Sequence, residues 1–171
     1  MESRKVACEC EQPFGMLADV FLPDAMDLDA SGALWVPKAD GVWFRPLILD
    51  VSQRDHVNLL RVRKSGILSR HRHSGPVHAF ALRGRWRCLE HDWEAAPGAH
   101  LCEPPGETHT LVDPDDVDEM ITSFHVTGRC VYVDPQGRAE GYEDVFTKPD
   151  AARKHCAAVG LGRDLVEGLM R

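Results

Sequence analysis

From Trp35 onward the chain is written in short runs in which apolar and polar residues trade places every one or two positions. The runs are "VWFRPLIL", "HVNLLRVR", "PVHAFALR", "RWRCLEHDW", "AHLCEP", "EMITSFHV" and "CVYV". Gly66, Gly75, Gly84, Pro97-Gly98, Pro104-Pro105-Gly106, Asp113-Pro114 and Gly128 separate them. Successive strand residues point to opposite faces, so such alternation predicts strands with one face buried and one wet. Many short strands at close spacing predict an all-β sandwich, barrel or jelly roll. The flanks read differently. Residues 1–33 mix Pro, Asp and Gly around one apolar stretch, "GMLADVFL", and predict an N-terminal arm. Residues 34–148 form the barrel, and residues 149–171 a short helical tail, in which Pro149 suits a first turn and Gly160 a C-terminal cap.

Composition narrows the picture without changing it. A chain of 171 residues with 43% hydrophobic content is long enough to bury one core unaided and predicts a single domain. The formal charge of −7 argues against general nucleic-acid binding, which needs a surplus of Lys and Arg. The local basic run of Arg61, Arg63, Lys64, Arg70 and Arg72 is expected on the wet face of strands. Six cysteines at 8, 10, 88, 102, 130 and 156 form no CxxC pair, and the terminal "CEC" is expected to fray rather than bind a metal. No apolar leader opens the sequence and no run is long enough to span a bilayer. Free thiols without an export signal predict a cytoplasmic protein with no membrane partner.

The candidate chemistry sits in "SRHRHSGPVHAF". In an extended strand His71 and His73 aim two imidazoles at one spot while Arg70 and Arg72 aim the other way, which is half of a metal site or two ordinary surface histidines. Downstream, "PGAHLCEPPGETHTL" carries Gly98, Pro104, Gly106 and His109 at the spacing G-x5-P-x-G-x2-H. That string resembles the second motif of the cupin superfamily without a gap. The first cupin motif has its counterpart in Gly66, His71, His73 and Gly84, with one residue fewer before the histidines and no Glu in its usual slot. The resemblance implies a cupin jelly-roll barrel whose two motif strands face each other across the interior, bringing His109 to His71 and His73.

Whether His78 replaces the missing Glu as a fourth ligand depends on a one-residue count, and one residue reverses the face of a strand. Counting from His73 puts His78 in the slot, and counting back from Gly84 puts Val77 there. The second register turns Val77, Ala79 and Ala81 inward, and leaves His78 and Phe80 packed outside the barrel, against another subunit if one is present. A bulge at Gly75-Pro76 would return His78 to the interior. In "RWRCLEHDW", Glu90 and His91 occupy opposite-facing positions, so one of them supports the site from behind if that segment is a barrel strand. Asp113 falls where the second motif usually has Asn and, before Pro114, is expected to serve a turn.

Longer strings, "VNLLRVRKSGILSRHRH", "LEHDW", "EPPGETHTL", "YVDP" and "GYEDVFTK", closely resemble the 2,4′-dihydroxyacetophenone dioxygenase family of iron cupins. That resemblance implies Fe(2+) held by His71, His73 and His109, with dioxygen and an aryl α-hydroxyketone as substrates and an aryl carboxylate and formate as products. It also implies a homo-oligomer, dimer or tetramer. Three neutral imidazoles leave positions on a divalent ion for a chelating hydroxyketone. Imidazole ligation alone does not choose iron over zinc, manganese or nickel. A regulatory cupin of the anti-sigma type, or an oxygenase acting on a diketone or thiol, remains the alternative. The roughly twenty residues after Pro149 are fewer than a partner-binding helical domain needs, which favours the enzyme.

Overall fold

The structure is a computed structural model that describes residues 13–171; the terminal Cys8 and Cys10 lie outside the described residues. Eleven strands follow one another: β1 (Val36–Ala39), β2 (Val42–Asp50), β3 (Asp55–Val62), β4 (Gly66–His73), β5 (Val77–Arg83), β6 (Arg87–Cys88), β7 (His100–Glu103), β8 (Thr108–Asp113), β9 (Met120–Thr127), β10 (Cys130–Val133) and β11 (Ala139–Glu143). Two helices close the chain, α1 (Lys148–Val159) and α2 (Asp164–Glu167). The strands form a six-stranded sheet in the order β1-β2-β3-β9-β5-β7 and a five-stranded sheet in the order β11-β10-β4-β8-β6. Every pairing between these strands is antiparallel. From β3 to β10 consecutive strands alternate between the two sheets, as a jelly roll requires.

The alternation read from the sequence decides which side chains meet between the sheets. Val77, Ala79 and Ala81 are buried, and His78 and Phe80 are exposed. The inner face of β5 therefore joins Val42, Val62, Trp86, Cys88, Ala95, Leu111 and Met120 in the main core. The Trp86 indole is fully buried, and its Nε1 donates to Thr122 Oγ1 at 2.9 Å, which gives the ring its one required partner.

Two further clusters join the arm and the tail to the barrel, the first on the outer face of the six-stranded sheet and the second on its inner face, where Phe44 pairs with Leu60 and Leu49 with His56. Leu22, Ala25 and Leu28 of the arm pack on Trp35, Leu47, Leu59 and Ile121. Ala152, Cys156, Val166 and Leu169 of the tail pack on Val36, Phe44 and Leu49. Helix α1 has Pro149 in its first turn and ends at Gly160 in the left-handed conformation (φ 78°), the arrangement that position favours.

The structure corrects three expectations. Arg61 is not on a wet face: it is 7% exposed, lies 3.7 Å above the Trp35 ring, donates to Leu28 O at 2.5 Å and pairs with Glu119 at 3.3 Å. The arm covers that surface, and burying an arginine requires such partners. Secondly, "RWRCLEHDW" is not a full strand, because pairing stops after Arg87 and Cys88 and the chain turns at Leu89 and Glu90. Alternation thus says nothing about Glu90 and His91. Thirdly, the strands carrying the two histidine motifs do not face each other. They are hydrogen-bonded neighbours in one sheet, with His71 directly opposite His109.

Candidate metal centre

The inner face of β4 carries His71 and His73, and its two neighbours complete a patch. β8 sets His109 beside His71, while β10 sets Tyr132 beside His71 and Cys130 beside His73. The three histidines are 8%, 6% and 1% exposed. Ring centroids lie 4.8 Å apart for His71 and His73, 6.2 Å for His71 and His109, and 6.4 Å for His73 and His109. Their potential ligand atoms fall into separate groups: His71 and His73 with Cys130, and His109 either with Cys88 and Glu103 or with His91 and Glu107, so His109 stands apart from the other two by ligand-atom distance although its ring neighbours theirs.

Burial sets the electrostatics. Removal from water pushes His71 down to about 3 and His73 to about 4, and it lowers His109 as well, so all three rings are neutral near pH 7. A neutral imidazole has one donor and one acceptor to satisfy. Ser69 Oγ lies 3.0 Å from His71 Nδ1, which fixes that ring and leaves its Nε2 inward. His73 Nδ1 and both ring nitrogens of His109 are buried without a hydrogen-bond partner among the described residues. Orphaned nitrogens cost free energy unless something coordinates them. The residues present therefore fit a divalent cation.

One residue of this site escaped the motifs. Glu103, the last residue of β7, is 5% exposed, and its Oε2 is 3.5 Å from His73 Nε2. Burial raises its carboxyl to about 7. Across the β5–β7 ladder Glu103 stands opposite Val77, the position that counting back from Gly84 gives for the missing Glu. The acid is supplied by the neighbouring strand. Only the "CEP" inside the second motif, with Glu103 at one of its unspecified positions, signalled it.

The other candidates are placed as follows. His78 is on the outer face, stacked on His100 with centroids 5.6 Å apart, and Phe80 lies 4.6 Å from the same ring. Glu90 accepts from the Thr110 backbone N–H at 2.7 Å and from Arg70 at 2.9 Å, so it braces β8 next to His109. His91 stacks on Trp93, pairs with Glu107 at 3.3 Å, and has its ring centroid 5.8 Å from that of His109. Asp113 is fully buried.

His71 and His73 open on a cavity of about 80 Å³ lined by His56, Asn58, Trp86, Phe124, Val126 and Glu103 among others. A cleft of about 600 Å³ adjoins it, and Lys38, Ser69, Tyr132, Glu143 and Lys148 line both spaces. Among the described residues no helix is long and apolar enough to cross a membrane.

Several proteins share this architecture. An RmlC-like cupin protein from Ralstonia eutropha JMP134 is 26% identical, over 72% of this chain and 82% of that one, with a TM-score of 0.68. Acetylacetone dioxygenase from Acinetobacter johnsonii is 14% identical over 84% and 95%, with a TM-score of 0.66. The complex of Rhodobacter sphaeroides SigE with the anti-sigma ChrR matches at 17% identity over 63% of this chain and 57% of that one, with a TM-score of 0.51. A search of curated protein sequences finds no match. The family described as the ChrR cupin-like domain matches residues 25–130. With more than half its length matched and two antiparallel sheets enclosing the paired histidines of β4 and β8, the chain belongs to the ChrR cupin-like domain family.

Proposed function

We propose that His71, His73 and His109 hold Fe(2+) and that the protein is a dioxygenase cleaving the bond between the carbonyl and hydroxymethyl carbons of an aryl α-hydroxyketone. The observation that carries this reading is the set of three buried, neutral imidazoles, of which His73 and His109 keep unpartnered ring nitrogens and His71 and His73 line a cavity. The resemblance of "HRHSGP" and "EPPGETHTL" to the dihydroxyacetophenone dioxygenases gives the reaction type. The solved acetylacetone dioxygenase gives a precedent on this fold. Iron bound there would supply a Lewis acid and an electron source for dioxygen.

The chain's own residues supply the rest. Neutral imidazoles leave the ion's charge uncompensated, which favours an ionised hydroxyl on the ligand. Glu103, with a carboxyl near 7 and its oxygen beside His73, is placed to take that hydroxyl proton. Trp86, Phe124 and Val126 give the cavity an apolar wall beside the ketone end of the ligand and exclude water. The balance is one hydroxyketone and one dioxygen giving one aryl carboxylate and one formate.

Protein loaded anaerobically with iron(II) should consume dioxygen when given an aryl α-hydroxyketone and release carboxylate and formate in equal amounts. One labelled oxygen atom should enter each product. Zinc-loaded protein should be inactive, since zinc has no redox chemistry. The family match to ChrR favours a second reading, a metal-binding regulatory cupin. Bound iron without oxygen uptake across a panel of hydroxyketones would decide for it.

A further inference from the structure

The far side of the cavity holds a group of charges that the chemistry at the histidines does not use. Lys38 comes from β1, Tyr132 from β10, Glu143 from the end of β11 and Lys148 from the start of α1. Glu143 Oε1 pairs with the Lys148 ammonium, Glu143 Oε2 lies 2.8 Å from Lys38 Nζ, and Tyr132 Oη donates to Oε2 at 3.4 Å. Lys148 is 3% exposed and lies 4.2 Å above the Phe44 ring.

Two ammonium groups thus share one carboxylate, where a structural ion pair holding α1 to the barrel would need only one. Lys148 is the buried one of the two, while Lys38 keeps 28% of its side chain exposed, and burying an ammonium is costly unless it is fully paired. Each ammonium has three donors, and Glu143 is the one carboxylate among the described residues paired with either. Burial, with Lys38 alongside, pulls the Lys148 pKa down, a cost that a second anion would relieve. Close by, His56 is 2% exposed, lines the same cavity and leaves Nδ1 without a partner. Asn58, two residues on and also buried, lines it too.

Size places the ligand. The cavity of about 80 Å³ is too small for an aryl ketone, so a ligand reaching the histidines extends through the neck lined by Lys38, Tyr132, Glu143 and Lys148 into the cleft. The geometry points to Lys38 and Lys148 as an oxyanion-binding position at that neck, so that the ligand carries a carboxylate or phenolate at the end remote from its ketone. The ketone end rests on the dioxygenase reading; the anion position does not.

The test is equilibrium binding to the full chain as purified, without turnover, with metal content measured on the same sample. The probes are para-carboxyacetophenone, para-methylacetophenone and para-hydroxyacetophenone, the last titrated through its own ionisation. The carboxylate should bind roughly tenfold tighter than the methyl compound, as pairing with buried Lys148 and partly exposed Lys38 together predicts. Lys38→Met should abolish that preference and leave the methyl compound's affinity unchanged, while Glu143→Gln should strengthen carboxylate binding. If the hydroxy compound tightens as it ionises, the position accepts phenolates as well; if its affinity stays flat, the position is specific for carboxylates. Lys148→Met is not needed, so misfolding of a buried-residue variant does not blur the outcome. Equal affinity for charged and neutral probes overturns the proposal. So does a Lys38→Met variant that weakens all probes alike or only lowers the melting temperature. Absence of bound metal would instead defeat the dioxygenase reading and leave this result standing.

Discussion

Asp113→Asn should change how the stability of this protein responds to pH. Asp113 ends β8 at zero exposure, and neither of its carboxyl oxygens has a hydrogen-bond partner among the described residues. Burial raises its pKa from 3.8 to about 7, against a weaker opposing pull from Arg85. The folded state therefore holds this proton more tightly than the unfolded chain does. The stabilisation is complete below about pH 4 and is lost as pH rises through about 7. About three powers of ten in proton affinity, at about 1.4 kcal/mol each, set an upper value of about 4 kcal/mol. For a domain of this size that corresponds to roughly 8–16 °C in melting temperature. Buried Glu103 adds to the same slope, while buried His56, His71 and His73 oppose it, their contribution being lost as pH falls below about 6.5. All four are common to both proteins and cancel in the difference. Denaturant melts of the wild type and Asp113→Asn from about pH 4 to about pH 8 should therefore diverge, with the variant gaining relative stability toward high pH. Parallel curves would refute the argument and mean that the Asp113 carboxyl is solvated or paired.

His109→Ala should abolish stoichiometric metal binding while the β-rich circular dichroism persists; full metal occupancy in that variant would remove His109 from the site. His78→Ala should keep most of its metal, because the ring stacks on His100 outside the barrel, and any loss should appear in assembly or melting temperature. Thr122→Val should cost roughly 1–3 kcal/mol in denaturant titration, because it strands the buried Trp86 N–H.

The strand alternation was legible because each strand buries one face, and a period of two survives in sequence wherever that holds. Val77 inward and His78 outward follow from a one-residue count of this kind. The partnership of β4 with β8 was not legible, since periodicity says which face a residue is on but not which strand lies beside it. Arg61 was misread for a related reason: its outer face is covered by residues far away in sequence, Leu28 among them. Glu103 was missed because a motif tracks one strand, whereas a ladder delivers a side chain to nearly the same place from the next strand. The "RWRCLEHDW" segment has strand composition, yet only Arg87 and Cys88 find a partner, in β8.

The adjacency of β4 and β8 also bears on how the molecule comes apart. Between His73 and His109 the chain leaves one sheet, builds β5 and β7 into the other, lays β6 along β8, and returns. A bond shared by those two histidines would close the whole excursion into a ring, as a disulfide does. Loop-closure entropy puts such a clasp at roughly 4 kcal/mol. Amide hydrogens of β5 and β7 would then exchange slowly in loaded protein and quickly in stripped protein, while β2 and β3, outside the ring, would change little. The same clasp would make the stripped chain the preferred target of proteases at the loops around Gly75 and Gly98.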